Sequence, residues 1–293
     1  MEIRMLRYFL TIATEQSFSK AAKVLHITQP TLSRQTRYFE DTLGTELFYR
    51  QNKKIYLTES GQLLKKRAEE ILLLNDKTEQ EFLDRKQEIL SGHITIGSVE
   101  ADNSDTLAMF LEELIAEHPQ VHFNIFSSTS DVIMEQLDKG LLDVALLLEP
   151  VSTKNYEKIT LPRQEKWGIL ISKESFLANK SQITMEELTG IPLLCSPRYE
   201  IQKMMQSLTT EFDQEKLNIV GTFNLIFNIF SLVENKVGAA LTIEGAVANR
   251  NTEQTIFLPI VPEIKTNCVL VWKKNALLTP TVNAYIEKFK QAF

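Results

Sequence analysis

Apolar positions along residues 2–15 fall three and four apart. Leu6, Phe9, Leu10 and Ala13 share one face, which predicts an amphipathic helix. Ser17 stands where a second helix, FSKAAKVLH, needs an N-terminal cap, and Ala21, Ala22 and Leu25 form its apolar side. After a turn at His26-Ile27, Thr28 caps a third helix with Pro30 in its first turn, where a missing N–H costs little. That helix runs to Leu43 and stops at Gly44. Leu32, Phe39 and Leu43 anchor it, which leaves Gln29, Ser33, Arg34 and Arg37 on an exposed side. TELFYR and KKIYLT flank QNKK and predict a small hairpin with a basic tip at Lys53 and Lys54. Thr58 caps a further helix, and no proline interrupts residues 59–90, so one helix of about 30 residues is expected. Leu64, Ala68, Ile71, Asn75, Thr78 and Phe82 recur along it in alternating steps of four and three. That is a coiled-coil seam, read as the dimerisation contact with a second copy of the chain.

SGH at 91–93 ends the helix, and the period changes. ITIGSV, a helix over 105–117, VHFNIFS, a helix over 131–139 and DVALLL alternate as in an α/β unit with a mostly parallel sheet. After Pro162 the strand KWGILIS opens a second unit. It holds PLLCSP, a helix over 201–212, NIVGTF, a helix over 225–236 and GAALT. NCVLVWKK and a helix over 281–292 return to the first unit as an edge strand and its helix. The expected fold class is α/β overall, in three parts: an N-terminal winged helix-turn-helix (1–58), a long linker helix (59–90) and a two-lobed α/β domain (91–293). Lobe I comprises 91–161 plus 266–293 and lobe II comprises 162–265. Crossovers near 161–165 and 259–266 leave a cleft between them.

The net charge of −6 over 293 residues hides a gradient. Residues 1–61 carry nine Lys/Arg against six Asp/Glu, whereas residues 91–293 carry 17 against 25. A basic head on an acidic body fits a local contact with a polyanion. No apolar run approaches the roughly 20 residues that span a bilayer, and the mixed-charge N-terminus is not a signal peptide, so a cytoplasmic location without a membrane partner is expected. Cys195 and Cys268 are the two cysteines, which gives neither a disulfide framework nor a Cys-rich metal site. The histidines, His26, His93, His118 and His122, have no metal-ligand spacing, and no phosphate loop, dinucleotide fingerprint or nucleophile elbow is present. No catalytic residue, metal or cofactor is expected.

Two short helices, a three-residue turn and a second helix with a polar N-terminal half match a helix-in-groove DNA reader. Gln29, Pro30, Thr31, Ser33 and Arg34 then line the groove-facing side. Gln pairs with adenine, Arg with guanine, and the apolar parts of Pro30 or Thr31 touch a thymine methyl. Arg37, Arg50, Lys53 and Lys54 suit phosphate or minor-groove contacts.

SFSKAAKVLHITQPTLSRQTRYFEDTLGTELFYR followed by LTESG resembles the N-terminal region of LysR-type transcriptional regulators. The rest is similar in order and length, linker helix and then an effector domain similar to periplasmic binding proteins. The resemblance adds Ser19, Lys20 and Thr28 to the DNA-facing set. Thr36 departs from it, since the family usually has an aliphatic residue there. The resemblance implies double-stranded promoter or operator DNA as partner, self-association as a homodimer or homotetramer, a small-molecule effector, and RNA polymerase if the protein activates. It places effector contacts at Ser98, Val99, Glu100 and Asp102, at Ser128 and Thr129, at Cys195, Ser196 and Arg198, and at Thr222 and Asn224. Strand ends near helix N-termini are also where α/β sheets bind ligands.

The first of these loops reads SVEADNSD, and Glu100, Asp102 and Asp105 would repel an anion. The effector is therefore expected not to be a simple small anion, unless Arg198 supplies the charge. Cys195, flanked by Leu193, Leu194 and Pro197, reads as a core cysteine rather than a redox sensor. Two other classes compete with a regulator: a small-molecule-binding protein or enzyme with an accessory helical head, and an architectural DNA-binding protein without an effector. The first needs a catalytic constellation or export signal that the sequence lacks. The second leaves the α/β body unexplained.

Overall fold

The computed structural model describes residues 1–51, 54–84, 90–199, 201, 203, 217–248, 250 and 253–293. They form two compact units, Met1–Phe82 and Leu83–Phe293.

In the first unit α1 (Ile3–Glu15), α2 (Phe18–Val24) and α3 (Gln29–Leu43) match the expected pattern. The Ser17 hydroxyl accepts the Lys20 N–H, Thr28 accepts the Thr31 N–H, and Gly44 closes α3 at φ 68°. These bonds satisfy N–H groups that the first helical turn leaves without partners. Met5, Leu6 and Phe9 pack against Phe39 and Leu47, and Ile12, Ala21, Ala22, Leu32 and Ile55 form an adjoining cluster. β1 (Phe48–Gln51) and β2 (Lys54–Leu57) pair antiparallel as the wing. Lys53, expected at the tip, lies outside the described residues.

α4 (Glu59–Asp84) starts where the Thr58 hydroxyl accepts the Gly61 N–H. Here one member of the expected seam, Ala68, is corrected. Ala68 is fully buried against Met5, Leu6 and Phe9 of its own chain, with Leu72 beside it and Leu64 and Ile71 packed at the edge. Ala68 and Leu72 thus serve the head's own core, and Leu64 and Ile71 stay half-buried at its edge. A helical stripe reports that a face is covered, not which chain covers it. Asn75 donates to Glu79, Thr78 donates to the Leu74 carbonyl, and Phe82 remains 66% exposed.

The second unit holds β3 (Gly92–Ser98), α5 (Ser104–Glu117), β4 (Val121–Ser127), α6 (Ser130–Asp138) and β5 (Val144–Leu148). β6 (Tyr156–Ser172), β7 (Ile183–Thr184), β8 (Pro192–Cys195) and β9 (Asn218–Thr222) come next. The helix Ile229–Glu234 (α7), β10 (Ala239–Ile243), the helix Glu244–Ala248 (α8), β11 (Thr255–Val261), β12 (Lys265–Lys273) and the helix Pro280–Ala292 (α9) complete it. The main sheet runs β4-β3-β5-β12-β6-β10-β8-β9, with β11 also on β6.

Three expectations change. KWGILIS is not a new strand: β6 begins at Tyr156 and runs through Pro162, its first part paired with β12 and its last with β10 and β11. The register shifts between Asn267 and Val269, opposite Pro162, so the proline falls at a bulge where no ladder N–H is needed. β6 is thus a single strand shared by both lobes. NCVLVWKK is an inner strand, paired with β5 on one side and β6 on the other. Its run from Cys268 to Trp272 is buried throughout, as a strand covered on both faces must be. The helix expected over 225–236 shortens to α7, because the Phe223 N–H goes to the Cys195 carbonyl and the Ile226 N–H to the Glu100 carboxylate. The helix expected over 201–212 lies almost wholly outside the described residues. No described helix is long and apolar enough to cross a membrane.

Candidate functional site

On α3, Leu32, Thr36 and Phe39 turn into the core. Pro30, Arg34 and Arg37 are exposed, and Gln29, Thr31 and Ser33 are half-buried. Ser19, Lys20, Arg50 and Lys54 are exposed as well. Among the described residues Lys20, Arg34, Arg37, Arg50 and Lys54 have no acidic partner. Several other cations of this unit are paired: Arg7 with Asp76, Lys65 with Glu69 and Arg67 with Glu70. Unpaired cations around one helix and its wing are what a phosphate backbone neutralises. The Thr28 and Thr31 hydroxyls bond each other at 2.8 Å, so both are held in place at the helix start. Glu40 accepts the Leu47 and Phe48 N–H groups at 2.7 and 3.2 Å and fixes the wing to the end of α3. The Thr36 hydroxyl donates to the Leu32 carbonyl at 2.9 Å, so its departure from the family pattern leaves no polar group unsatisfied.

The second site is a cleft between the lobes of about 90 Å³. It brings together Val99, Glu100, Ser128, Thr129, Ser196, Arg198 and Asn224. Ser98, Asp102, Cys195 and Thr222 do not line it. The Ser98 hydroxyl donates to the Val99 carbonyl, Asp102 pairs with Arg163 at 3.1 Å, Cys195 is buried, and Thr222 is exposed at the end of an edge strand. Trp167, Phe223, Ile226, Leu241 and Thr242 line the cleft and were missed. Thr242, one hydroxyl in the apolar strand AALTI, was the signal that could have found β10.

Hydrogen bonds across the cleft tie lobe to lobe. Glu100 accepts the Ile226 N–H at 2.7 Å. Burial raises its carboxyl above the ordinary value, and the Ile226 bond offsets part of that rise. Arg198, 7% exposed, donates Nε to both Asp131 oxygens at 3.1 Å and Nη2 to the Pro150 carbonyl at 3.0 Å. Its charge is neutralised inside the protein, so it is not the free anion-binding group that the sequence allowed. Asp102 and Asp105 share one cation, Arg163, at the surface. Behind the cleft, Glu165 is 1% exposed and accepts the backbone N–H of Asp102 at 2.8 Å and those of Asn103 and Gly245. Burial again raises its carboxyl, and these bonds oppose the rise.

A basic helix-turn-helix head joined to a two-lobed body with a hydrogen-bonded cleft defines a DNA-binding regulator with a ligand-sensing domain. Comparison with known proteins agrees. Residues 3–62 match the bacterial regulatory helix-turn-helix protein, lysR family, and residues 87–293 match the LysR substrate binding domain. The chain is 28% identical over 280 residues to the Hca operon transcriptional activator HcaR of Escherichia coli K12, covering 94% of this chain and 93% of that one. It is 29% identical over 297 residues to the regulator BsdA of Bacillus subtilis 168, covering 99% and 100%. The crystal structure of CbnR, a LysR family transcriptional regulator, superposes with a TM-score of 0.77 at 18% identity over 100% of this chain and 99% of that one. The chain belongs to the LysR family of transcriptional regulators: it is a DNA-binding transcriptional regulator with an effector-binding domain.

Proposed function

We propose that the protein is a cytoplasmic, non-enzymatic regulator whose inter-lobe cleft takes a small effector, and that occupancy of the cleft changes how paired DNA-binding heads engage an operator. The observation that carries this is the pair of inter-lobe bonds bordering the cleft, Glu100 to Ile226 and Arg198 to Asp131. A ligand that competes with or bridges such bonds has different affinities for two lobe arrangements, which is what coupling requires; about 1–3 kcal/mol suffices. We assign the roles by the expected division: head (1–58), linker helix (59–90) and effector domain (91–293). In the head, Ser19, Lys20, Gln29, Pro30, Thr31, Ser33 and Arg34 face the groove, and Arg37, Arg50 and Lys54 face phosphates.

Self-association has its own support. The edge strand β4 exposes Phe123 and Ile125, which with Leu107, Leu111 and Ile115 of α5 border an apolar groove of about 600 Å³. Apolar grooves of that extent are commonly covered by a partner, and a second copy fits a symmetric regulator of paired half-sites. RNA polymerase is a partner where the protein activates. Footprinting upstream of its own gene, against random DNA at fixed salt and with ligand added, tests the reading. A protected site that shifts on ligand addition is expected. Equal affinity for random DNA would refute it.

A further inference from the structure

The cleft has a charge inventory that selects its ligand. Among its described lining residues two side chains carry charge, Glu100 and Arg198. Arg198 is already paired with Asp131 and bonded to the Pro150 carbonyl. Glu100 has no cationic partner among the described residues: one of its oxygens accepts the Ile226 N–H and the other has no bond. Around it the hydroxyls of Ser128, Thr129 and Thr242 and the amide of Asn224 line the cleft without a hydrogen-bonding partner among the described residues. Trp167, Phe223, Leu241 and Ile243 supply the apolar remainder. A partly buried carboxylate without a counter-charge costs free energy, and a bound cation removes that cost.

The structure assigns to this cleft an effector with a protonated amine on a compact apolar body, held by Glu100 as its counter-charge; this rests on reading the cleft as the effector site. The ammonium has three N–H donors. One goes to the open Glu100 oxygen, and the neighbouring hydroxyl and amide oxygens can take the others. The aromatic rings suit a cation and its apolar carbon alike. The cavity volume, about 90 Å³ against roughly 10–15 Å³ for each water, admits a ligand of about six to nine heavy atoms. A small carboxylate of the same shape would set a second negative charge beside Glu100.

The test uses the full chain and matched probes: n-butylamine and benzylamine, the acids butyrate and benzoate, and neutral benzyl alcohol. Thermal denaturation and calorimetry report binding. Glu100→Gln keeps an oxygen for the Ile226 N–H and removes the charge, Glu100→Asp keeps the charge, and ligand-free melting verifies that each variant folds. Asn224→Phe obstructs the cleft from an exposed loop position. We expect the amines to bind and the acids not to. Glu100→Gln should weaken amine binding at least about tenfold, Glu100→Asp should weaken it less, and Asn224→Phe should abolish it. Binding of the acids in place of the amines, lost in Asn224→Phe, overturns the amine assignment and leaves the cleft as the effector site. Equal binding of alcohol and amine, indifferent to Glu100→Gln, overturns it in the same way. Absence of binding by every probe, or amine binding that survives Asn224→Phe, overturns both the assignment and the cleft as its site.

Discussion

Gly245 approaches Asp102 so closely that a β-carbon on Gly245 would stand 2.3 Å from the Asp102 nitrogen. The same carbon would stand 2.4 Å from a Glu165 oxygen. Gly245 lies in the first turn of α8 in lobe II, Asp102 precedes α5 in lobe I, and Glu165 lies on the strand that the lobes share. Gly245→Ala must therefore part the lobes or displace the carboxylate that joins them. The expected cost is about 1–3 kcal/mol, read as a lower urea midpoint. An unchanged midpoint would show that the contact yields freely.

Glu165 also gives a pH signature. Its folded carboxyl is raised by burial above the ordinary 4.5. A raised acid contributes stability that is fully present below 4.5 and is lost as pH rises through the folded value. Glu165→Gln removes that dependence, but its single oxygen cannot serve three backbone N–H donors. The variant is expected to melt lower at every pH, by about 1–3 kcal/mol for the donor left unpaired. Its melting temperature should also fall less than the parent's between pH 4.5 and neutrality. Parallel curves across that window would exclude Glu165 as the source.

The DNA-reading assignment separates into two kinds of residue. Gln29→Ala with Arg34→Ala should lose discrimination between operator and random DNA, about 1–3 kcal/mol per lost base contact. Arg50→Ala should weaken binding to all sequences alike and reduce the salt slope by about one. Unchanged specificity in the double variant counts against α3 as the reading helix.

Ala68 and Leu63 lie on one helix with opposite expectations. Ala68 is enclosed by its own head, so Ala68→Leu should overpack that core and cost about 1–3 kcal/mol. Leu63 is 66% exposed, so Leu63→Glu should leave the fold intact and weaken self-association if α4 meets a second copy. Melting combined with light scattering distinguishes the two. The seam reading returns if Ala68→Leu dissociates the oligomer without lowering the melting temperature.

Both thiols should be unreactive in the folded chain. Burial raises the Cys195 thiol, and burial together with the nearby Glu165 charge pushes Cys268 far above the ordinary thiol range. A thiol-specific reagent at pH 7.5 should label neither cysteine until denaturant is added and then both. Rapid labelling of native Cys195 would overturn its reading as a core cysteine.

What the sequence determined by itself was local or periodic. Ser17, Thr28, Pro30, Gly44 and Thr58 mark helix boundaries because a cap bonds within its own turn, and those boundaries hold. The recognition helix, the alternation of strands and helices, and seven of the eleven expected cleft residues were legible for the same reason, since strand ends and helix starts put them near one another. Tertiary structure decided what depends on a partner distant in sequence. An apolar stripe does not name the surface that covers it, so Ala68 was assigned to a second chain and β12 to an edge. A charged side chain does not say whether its charge is already spent. Arg198 meets Asp131 across 67 residues and Glu100 meets Ile226 across 126, and only those encounters leave Glu100, among the described residues, as the unpaired charge of the cleft.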